Sequence, residues 1–283
     1  MNQETTPLPI SKAFPKAPAF ALVTGGSQGI GLELAKALAA RGLNLSLVAL
    51  PTPELEEAAQ SLREAHPQLE IRTLGIDLTL EASPEKVYNW AVEDGRKVRV
   101  LVNNVGFGTS GVMDTKPIGL YLSMMRLNNQ AMAAITYHFM PHLRTSGGGD
   151  VLNMSSMEAT VPLPYKAVYA ATKAFVYNYS QALRVELAEY GVNVTVVCPG
   201  PTITNEEGLR RIQTFGKELK WYHKLVVKFP DYTAEKAMRA LDKRRPVVVP
   251  GTVPGIMFGL ARLLPASWKM RILARIFRNY KNH

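Results

Sequence analysis

Thr24-Gly25-Gly26-Ser27-Gln28-Gly29-Ile30-Gly31 follows directly on the apolar run Phe20–Thr24 and opens an amphipathic segment, Gly29–Arg41. Glycines without a Cβ let a backbone turn come close to a pyrophosphate, and the helix that follows directs its positive end at that charge. A glycine cluster alone also describes an ordinary turn. Its position between the first strand and the first helix makes dinucleotide binding the stronger reading. Outward from this turn, strand-length apolar runs alternate with helix-length amphipathic segments. Strands are expected at Phe20–Thr24, Leu45–Ala49, Glu70–Gly75, Val98–Asn103, Asp150–Met154, Val192–Cys198 and Val247–Val249. Helices are expected at Gly29–Arg41, Pro53–Ala65, Pro84–Asp94, Pro117–Leu143, Ala167–Tyr190 and Ala234–Lys243. The strands are rich in Val, Leu and Ile without strict alternation, as strands covered on both faces are. The pattern predicts an α/β fold: a doubly wound, seven-stranded parallel sheet in a three-layer α/β/α sandwich.

A chain of 283 residues, 47% hydrophobic and 20% charged, suits one such domain with short extensions. The expected division is a flexible leader over residues 1–18, one catalytic domain over 19–250 and a basic extension over 251–283. The leader carries Pro7, Pro9, Pro15 and Pro18 and lacks the apolar core of a signal peptide. The single cysteine, Cys198, excludes an intramolecular disulfide and reads as a buried, inert thiol. No stretch has the apolar length of a membrane span, so the expected compartment is the cytoplasm. The net charge of +10 is unevenly spread. From Gly251 to His283 there is no Asp or Glu, against six basic residues: Arg262, Lys269, Arg271, Arg275, Arg278 and Lys281. Trp268–Arg278 reads as a basic amphipathic helix, suited to peripheral contact with an anionic membrane or to docking on protein. No nucleic-acid recognition motif accompanies the charge, so a nucleic-acid partner is not expected.

Tyr169-Ala170-Ala171-Thr172-Lys173 puts a phenol and an ammonium on one helix face, a turn apart. A free tyrosine titrates near pH ~10, and a neighbouring cation favours its phenolate. The spacing is common on solvated helices; its weight comes from its companions. Ser155-Ser156 ends the preceding strand, and Asn128 lies inside a helix although Asn is a poor helix former. Val102-Asn103-Asn104-Val105-Gly106 ends the fourth strand, Asp77-Leu78 follows the third, and Pro199-Gly200-Pro201-Thr202-Ile203-Thr204 follows the sixth. His138 and His142 have metal-ligand spacing, but no HExxH glutamate accompanies them, and no metal site is expected.

Glycines at 25, 29 and 31 give TGxxxGxG, and with YxxxK at 169–173 the chain resembles the single-domain branch of the short-chain dehydrogenase/reductase family. The matching motifs run in order from Phe20 to Thr204. The resemblance implies a Rossmann-type fold and an oxidoreductase that interconverts a ketone and a secondary alcohol. It implies that Tyr169 exchanges the proton and that Ser156 orients the substrate oxygen. Lys173 would bind the nicotinamide ribose and lower the phenol's pKa. Asn128 would kink its helix and hold a water in a relay to Lys173. The implied cofactor contacts are Gly25, Ser27, Gln28, Gly29, Ile30 and Gly31 for the pyrophosphate turn, and Asp77 and Leu78 for the adenine. Asn104 and Gly106 follow, with Val105 where Ala is usual, then Tyr169, Lys173, Pro199, Gly200, Thr202 and Thr204 along the nicotinamide. Leu50 stands where NAD-preferring relatives carry Asp, which mildly favours NADP(H) over NAD(H), although no Arg replaces it and Gln28 stands in the glycine turn where many NADP-dependent relatives carry Arg or Lys.

The apolar and aromatic flap at 205–230 suits either a hydrophobic carbonyl substrate, of 3-oxoacyl, lipid-like or steroid-like type, or the ordinary packing of a helical insert. Family habit also implies a homo-oligomer, dimer or tetramer. The competing readings are a catalytically silent cofactor sensor and a membrane-surface adaptor on the same fold.

Overall fold

The computed structural model describes residues 19–202, 227–263 and 265–276. The leader 1–18, Thr204 and most of the flap 205–230 lie outside the described residues. Seven strands form one parallel sheet in the order β3-β2-β1-β4-β5-β6-β7. They are β1 (Ala19–Thr24), β2 (Asn44–Ala49), β3 (Ile71–Gly75), β4 (Lys97–Asn103), β5 (Gly149–Met154), β6 (Val192–Val197) and β7 (Val247–Val248). Every residue of β1, β2, β5 and β6 is buried, which is why these runs show no polar alternation.

Helices cover both faces. On one side Leu34 and Leu38 of α1 (Gly29–Ala39), Leu55 and Leu62 of α2 (Pro53–Ala65) and Met238 and Leu241 of α7 (Pro230–Asp242) share a core with β1 and β2. On the other, Val87 of α3 (Ser83–Val92), Ile135, Phe139 and Leu143 of α5 (Met132–Thr145) and Leu183 of α6 (Ala167–Leu187) close over β4 and β5. Between α3 and α5 lies α4 (Ile118–Met125); α8 (Thr252–Leu263) and α9 (Ala266–Ile276) follow β7. Proline in the first turn of α2, α3 and α7 removes an N–H that has no helical partner there.

The expected single helix over Pro117–Leu143 is instead three segments: α4, a π-helical turn at Arg126–Ala131, and α5. The extra residue per turn sits around Asn128. The described residues from Pro230 to Val248 also differ from expectation. Helix α7 begins at Pro230 rather than Ala234, so the last residue assigned to the flap belongs to the helix. Strand β7 is two residues long, pairing Val196 with Val247 and Val197 with Val248. The strand order reverses between β1 and β4, and the crevice at their C-terminal ends is where open α/β sheets bind ligands.

Candidate active site

The glycine turn lies in that crevice. Gly25 and Gly29 have φ of +67° and +58°, in the left-handed region that glycine tolerates best. A Cβ on Gly31 would stand 2.0 Å from the Gly25 carbonyl oxygen, so α1 and the turn can pack this closely only with glycine. Asn104 braces the same turn from β4. Its side-chain amide donates to the carbonyls of Thr24 (3.1 Å) and Gly25 (3.2 Å), and its backbone N–H donates to the Thr24 hydroxyl (3.0 Å). Gln28 caps α1 in extended conformation without a side-chain hydrogen bond, and no acidic residue occupies the first turn. The free N–H groups at this helix end therefore face the crevice uncountered by negative charge. Ser27 is half-buried, Gln28 is exposed, and Ile30 packs its side chain on the core.

Around the rim, Leu50 is 55% exposed just past β2. The Asp77 carboxylate is already engaged: one oxygen accepts from the backbone N–H and the hydroxyl of Thr79, both at 2.8 Å. Asp77 thus shapes its own turn, and Leu78 buries its side chain in the core.

Ser156, Tyr169, Lys173 and Asn128 come together at the ends of β4 and β5. Ser156 follows β5 and caps a 3-10 turn at Met157–Thr160, accepting from the Glu158 N–H at 3.1 Å. Its hydroxyl is also a hydrogen-bond partner of the Tyr169 phenol. The Ser155 hydroxyl meets backbone: it donates to the Lys173 carbonyl at 2.7 Å. Lys173 is buried one turn after Tyr169, with Nζ donating to the Met154 carbonyl (3.0 Å) and lying 5.9 Å from the centre of the Tyr169 ring.

Asn128 is 2% exposed, not a surface residue. Its Oδ1 accepts from Phe107 N–H (3.0 Å), and its Nδ2 donates to the Phe107 carbonyl (2.9 Å) and the Thr172 hydroxyl (3.0 Å). The kink expected there is the π-helical turn. The side chain itself is spent on protein partners, clamping the loop after β4 to α6. Asn129, the next residue, adds a bond to the Thr172 carbonyl at 2.8 Å.

Two glycines make the approach possible. A Cβ on Gly106 would lie 2.7 Å from Asn128 Oδ1 and 3.4 Å from Lys173 Nζ; one on Gly108 would lie 2.6 Å from the Tyr169 ring. Gly108, Phe107 and Thr172 were not legible as site residues. Their contacts depend on how the loop folds back onto α6, which no local pattern encodes.

The electrostatics depart from expectation. Burial pushes the Tyr169 phenol well above its ordinary value, and the nearby Glu158 carboxylate raises it further, against a lowering by the Ser156 hydrogen bond. Burial also pushes Lys173 down to about 8. The net shift of the phenol is therefore upward rather than the lowering expected: the burial that removes both groups from water disfavours phenolate and ammonium alike. Glu158 was overlooked in the sequence. Its carboxylate pairs with Lys166 at 2.8 Å, and Lys166 Nζ lies 5.9 Å from the Tyr169 ring centre.

The segment after β6 closes the site. Pro199 accepts from Met157 N–H (2.9 Å), tying it to the Ser156 turn. The Thr202 hydroxyl donates to the Gly200 carbonyl (3.1 Å), and Thr202 bridges in parallel to Lys228. Cys198, beside Ser155, Ser156 and Lys173, is fully buried, and burial pushes its thiol up to about 12. Away from the site, His142 accepts from Val98 N–H at 3.1 Å, and His138 stacks on Tyr88, so both are used in packing.

A Rossmann-type sheet with a glycine turn at its switch point and a Ser-Tyr-Lys cluster beside it defines a dinucleotide-binding class of protein. The chain belongs to the short chain dehydrogenase family, whose model matches residues 19–212. A very-long-chain 3-oxoacyl-CoA reductase of Podospora anserina is 32% identical over 206 residues, covering 72% of this chain and 60% of that protein. The chain spans about half to three-fifths of the length of such curated relatives. Among solved structures, a short-chain dehydrogenase from Sphingobium yanoikuyae in complex with NADPH superposes with a TM-score of 0.71 at 29% identity, covering 88% of this chain and 97% of that one. The bulky-bulky ketone specific alcohol dehydrogenase from Comamonas testosteroni gives 0.72 at 27%, covering 89% and 96%.

Proposed function

We propose that this chain is an NADPH-dependent ketoreductase that reduces the ketone of a bulky, lipophilic substrate, of the 3-oxoacyl thioester type, to a secondary alcohol. One observation carries the reading: Ser156, Tyr169 and Lys173 converge beside a tightly packed glycine turn at the N-terminus of α1. The name of the Podospora anserina relative and the bulky-ketone specificity of the Comamonas testosteroni enzyme support the substrate class. Support for NADPH over NADH comes from Leu50, which offers no carboxylate to repel a 2′-phosphate, and from the NADPH bound to the Sphingobium yanoikuyae enzyme.

The turn Gly25–Gly31 and the N-terminus of α1 would hold the pyrophosphate, with Tyr169 and Lys173 on the nicotinamide ribose. When bound, the reduced nicotinamide supplies the hydride. Ser156 donates a hydrogen bond to the substrate carbonyl oxygen and fixes it against the phenol. Tyr169, kept protonated by burial, gives its proton to that oxygen as negative charge develops on it. The Lys173 ammonium stabilises the phenolate left behind. Asn128 holds the loop after β4 and α6 in register, so that phenol and ammonium keep their spacing.

Tyr169→Phe tests this directly. It should keep NADPH affinity within a few-fold and lower the rate of ketone reduction by about 10²-fold or more. Reduction surviving at the parent rate would overturn the mechanism. The proposal extends to assembly: exposed Leu122 and Met125 on α4, with Phe175 and Val185 on α6, support self-association through these helices.

A further inference from the structure

Helix α8 is apolar on two opposite sides. Pro254 and Phe258 are buried, and Phe258 packs edge-on against Tyr177 of α6 at 5.7 Å, in a cluster with Met157 and Ala159. That side roots the helix on the 3-10 turn that begins at Ser156. On the far side, at helical spacing, Ile256, Leu260 and Leu263 are 57%, 56% and 82% exposed, with Met257 beside them. In α9, Trp268 is 61% exposed and shares a face with exposed Arg271 and Arg275, three and seven residues on. An apolar surface of this kind on a folded chain marks an interaction site.

Charge decides between occupants. Residues 251–283 contain six basic side chains and no acidic one. A second copy meeting this face about a two-fold axis would set cation against cation. A bilayer with anionic headgroups complements it, taking the aliphatic side chains and the Trp268 indole below the headgroups and the arginines at their level. We propose that α8 and α9 form an interfacial anchor that seats this chain on an anionic lipid surface. The side of α8 that faces away from the lipid packs on the turn that follows Ser156. The anchor goes beyond the reductase reading, and together with it would keep the chain at the surface where a lipophilic substrate collects.

The test is flotation of the full chain with vesicles of phosphatidylcholine, alone or mixed with phosphatidylserine. Binding is expected to the mixed vesicles and to weaken with added salt. Two exposed pairs should each lower it by at least about tenfold: Leu260→Glu with Leu263→Glu, and Arg271→Glu with Arg275→Glu. Absence of binding to the mixed vesicles, or binding indifferent to both pairs, overturns the anchor. So does vesicle-free self-association that the leucine pair abolishes, which would assign the face to a second copy. NADPH oxidation by a small water-soluble ketone is followed in parallel and should be unchanged in both pairs. If the parent protein floats but reduces nothing, the reductase reading fails while the anchor stands.

Discussion

At the scale of single residues, burial is the strongest influence on the chemistry of the site. It holds the Tyr169 phenol protonated far into alkali and leaves Lys173 as the group that titrates in the working range, at about 8. On the proposed mechanism, reduction requires both the phenol's proton and the lysine's charge. The sign follows: Lys173 is cationic below its pKa, so kcat/KM for ketone reduction should be flat at neutral pH and fall above about 8. A pH profile of NADPH-dependent reduction reads this. In Lys173→Arg, whose guanidinium stays charged throughout, whatever activity remains should lose the alkaline fall. An unchanged fall in that variant would assign the titration to another group.

At the scale of elements, two junctions tie neighbouring segments to the sheet, one at each end of its strands. The first is the contact between the glycine turn and α1. Gly31→Ala puts a methyl 2.0 Å from the Gly25 oxygen and 2.5 Å from the Asn104 amide, so α1 must move or the Asn104 brace must break. The expected outcome is a loss of about 1–3 kcal/mol in a denaturant melt, with NADPH affinity falling in a fluorescence titration.

The second junction lies at the opposite end of β5 and β6. Asp150, 6% exposed, accepts from Asn193 at 2.8 Å, and Arg184 bonds Asn193 and the Arg244 carbonyl. Burial raises the Asp150 carboxyl to about 6, against the Asn193 hydrogen bond and the charges of Arg244 and Arg99, with Asp242 adding to the rise. A carboxyl whose folded pKa is raised binds its proton more tightly when folded. Its contribution to stability is therefore complete below its unfolded value of 3.8 and is lost as pH rises through about 6. Asp150→Asn should remove that slope and raise stability at pH ~7 by about 2 kcal/mol, read from urea melts across the window. A variant less stable at neutral pH would show that the charged form is needed there.

At the scale of the whole molecule, apolar surface remains on helices already packed against the sheet. On α6, Phe175 and Val185 are 44% and 77% exposed although the opposite side of that helix is core. If this surface is covered by another copy, sedimentation should give a multiple of the 31.2 kDa chain. Phe175→Asp with Val185→Lys should shift the equilibrium toward monomer, while the leucine pair on α8 should leave it in place. A monomeric parent at micromolar concentration would reject the assembly.

The order of strands and helices, the glycine turn and the Tyr169–Lys173 spacing were determined by the sequence alone. Each is local: a strand covered on both faces must be apolar throughout, a close backbone approach needs glycine, and four residues make one helical turn. The approximate ends of β1, β2 and α2 were legible for the same reason. The tertiary structure decided what depends on distant segments meeting. It inserted a π-helical turn around Asn128, because that side chain must reach both Phe107 and Thr172. It brought Gly108 under the Tyr169 ring, and Glu158 and Lys166 beside it. Above all it reversed the expected shift of the phenol. Sequence spacing places a lysine near a tyrosine, but only the packing around α6 sets how much water each keeps, and burial is the largest influence on both.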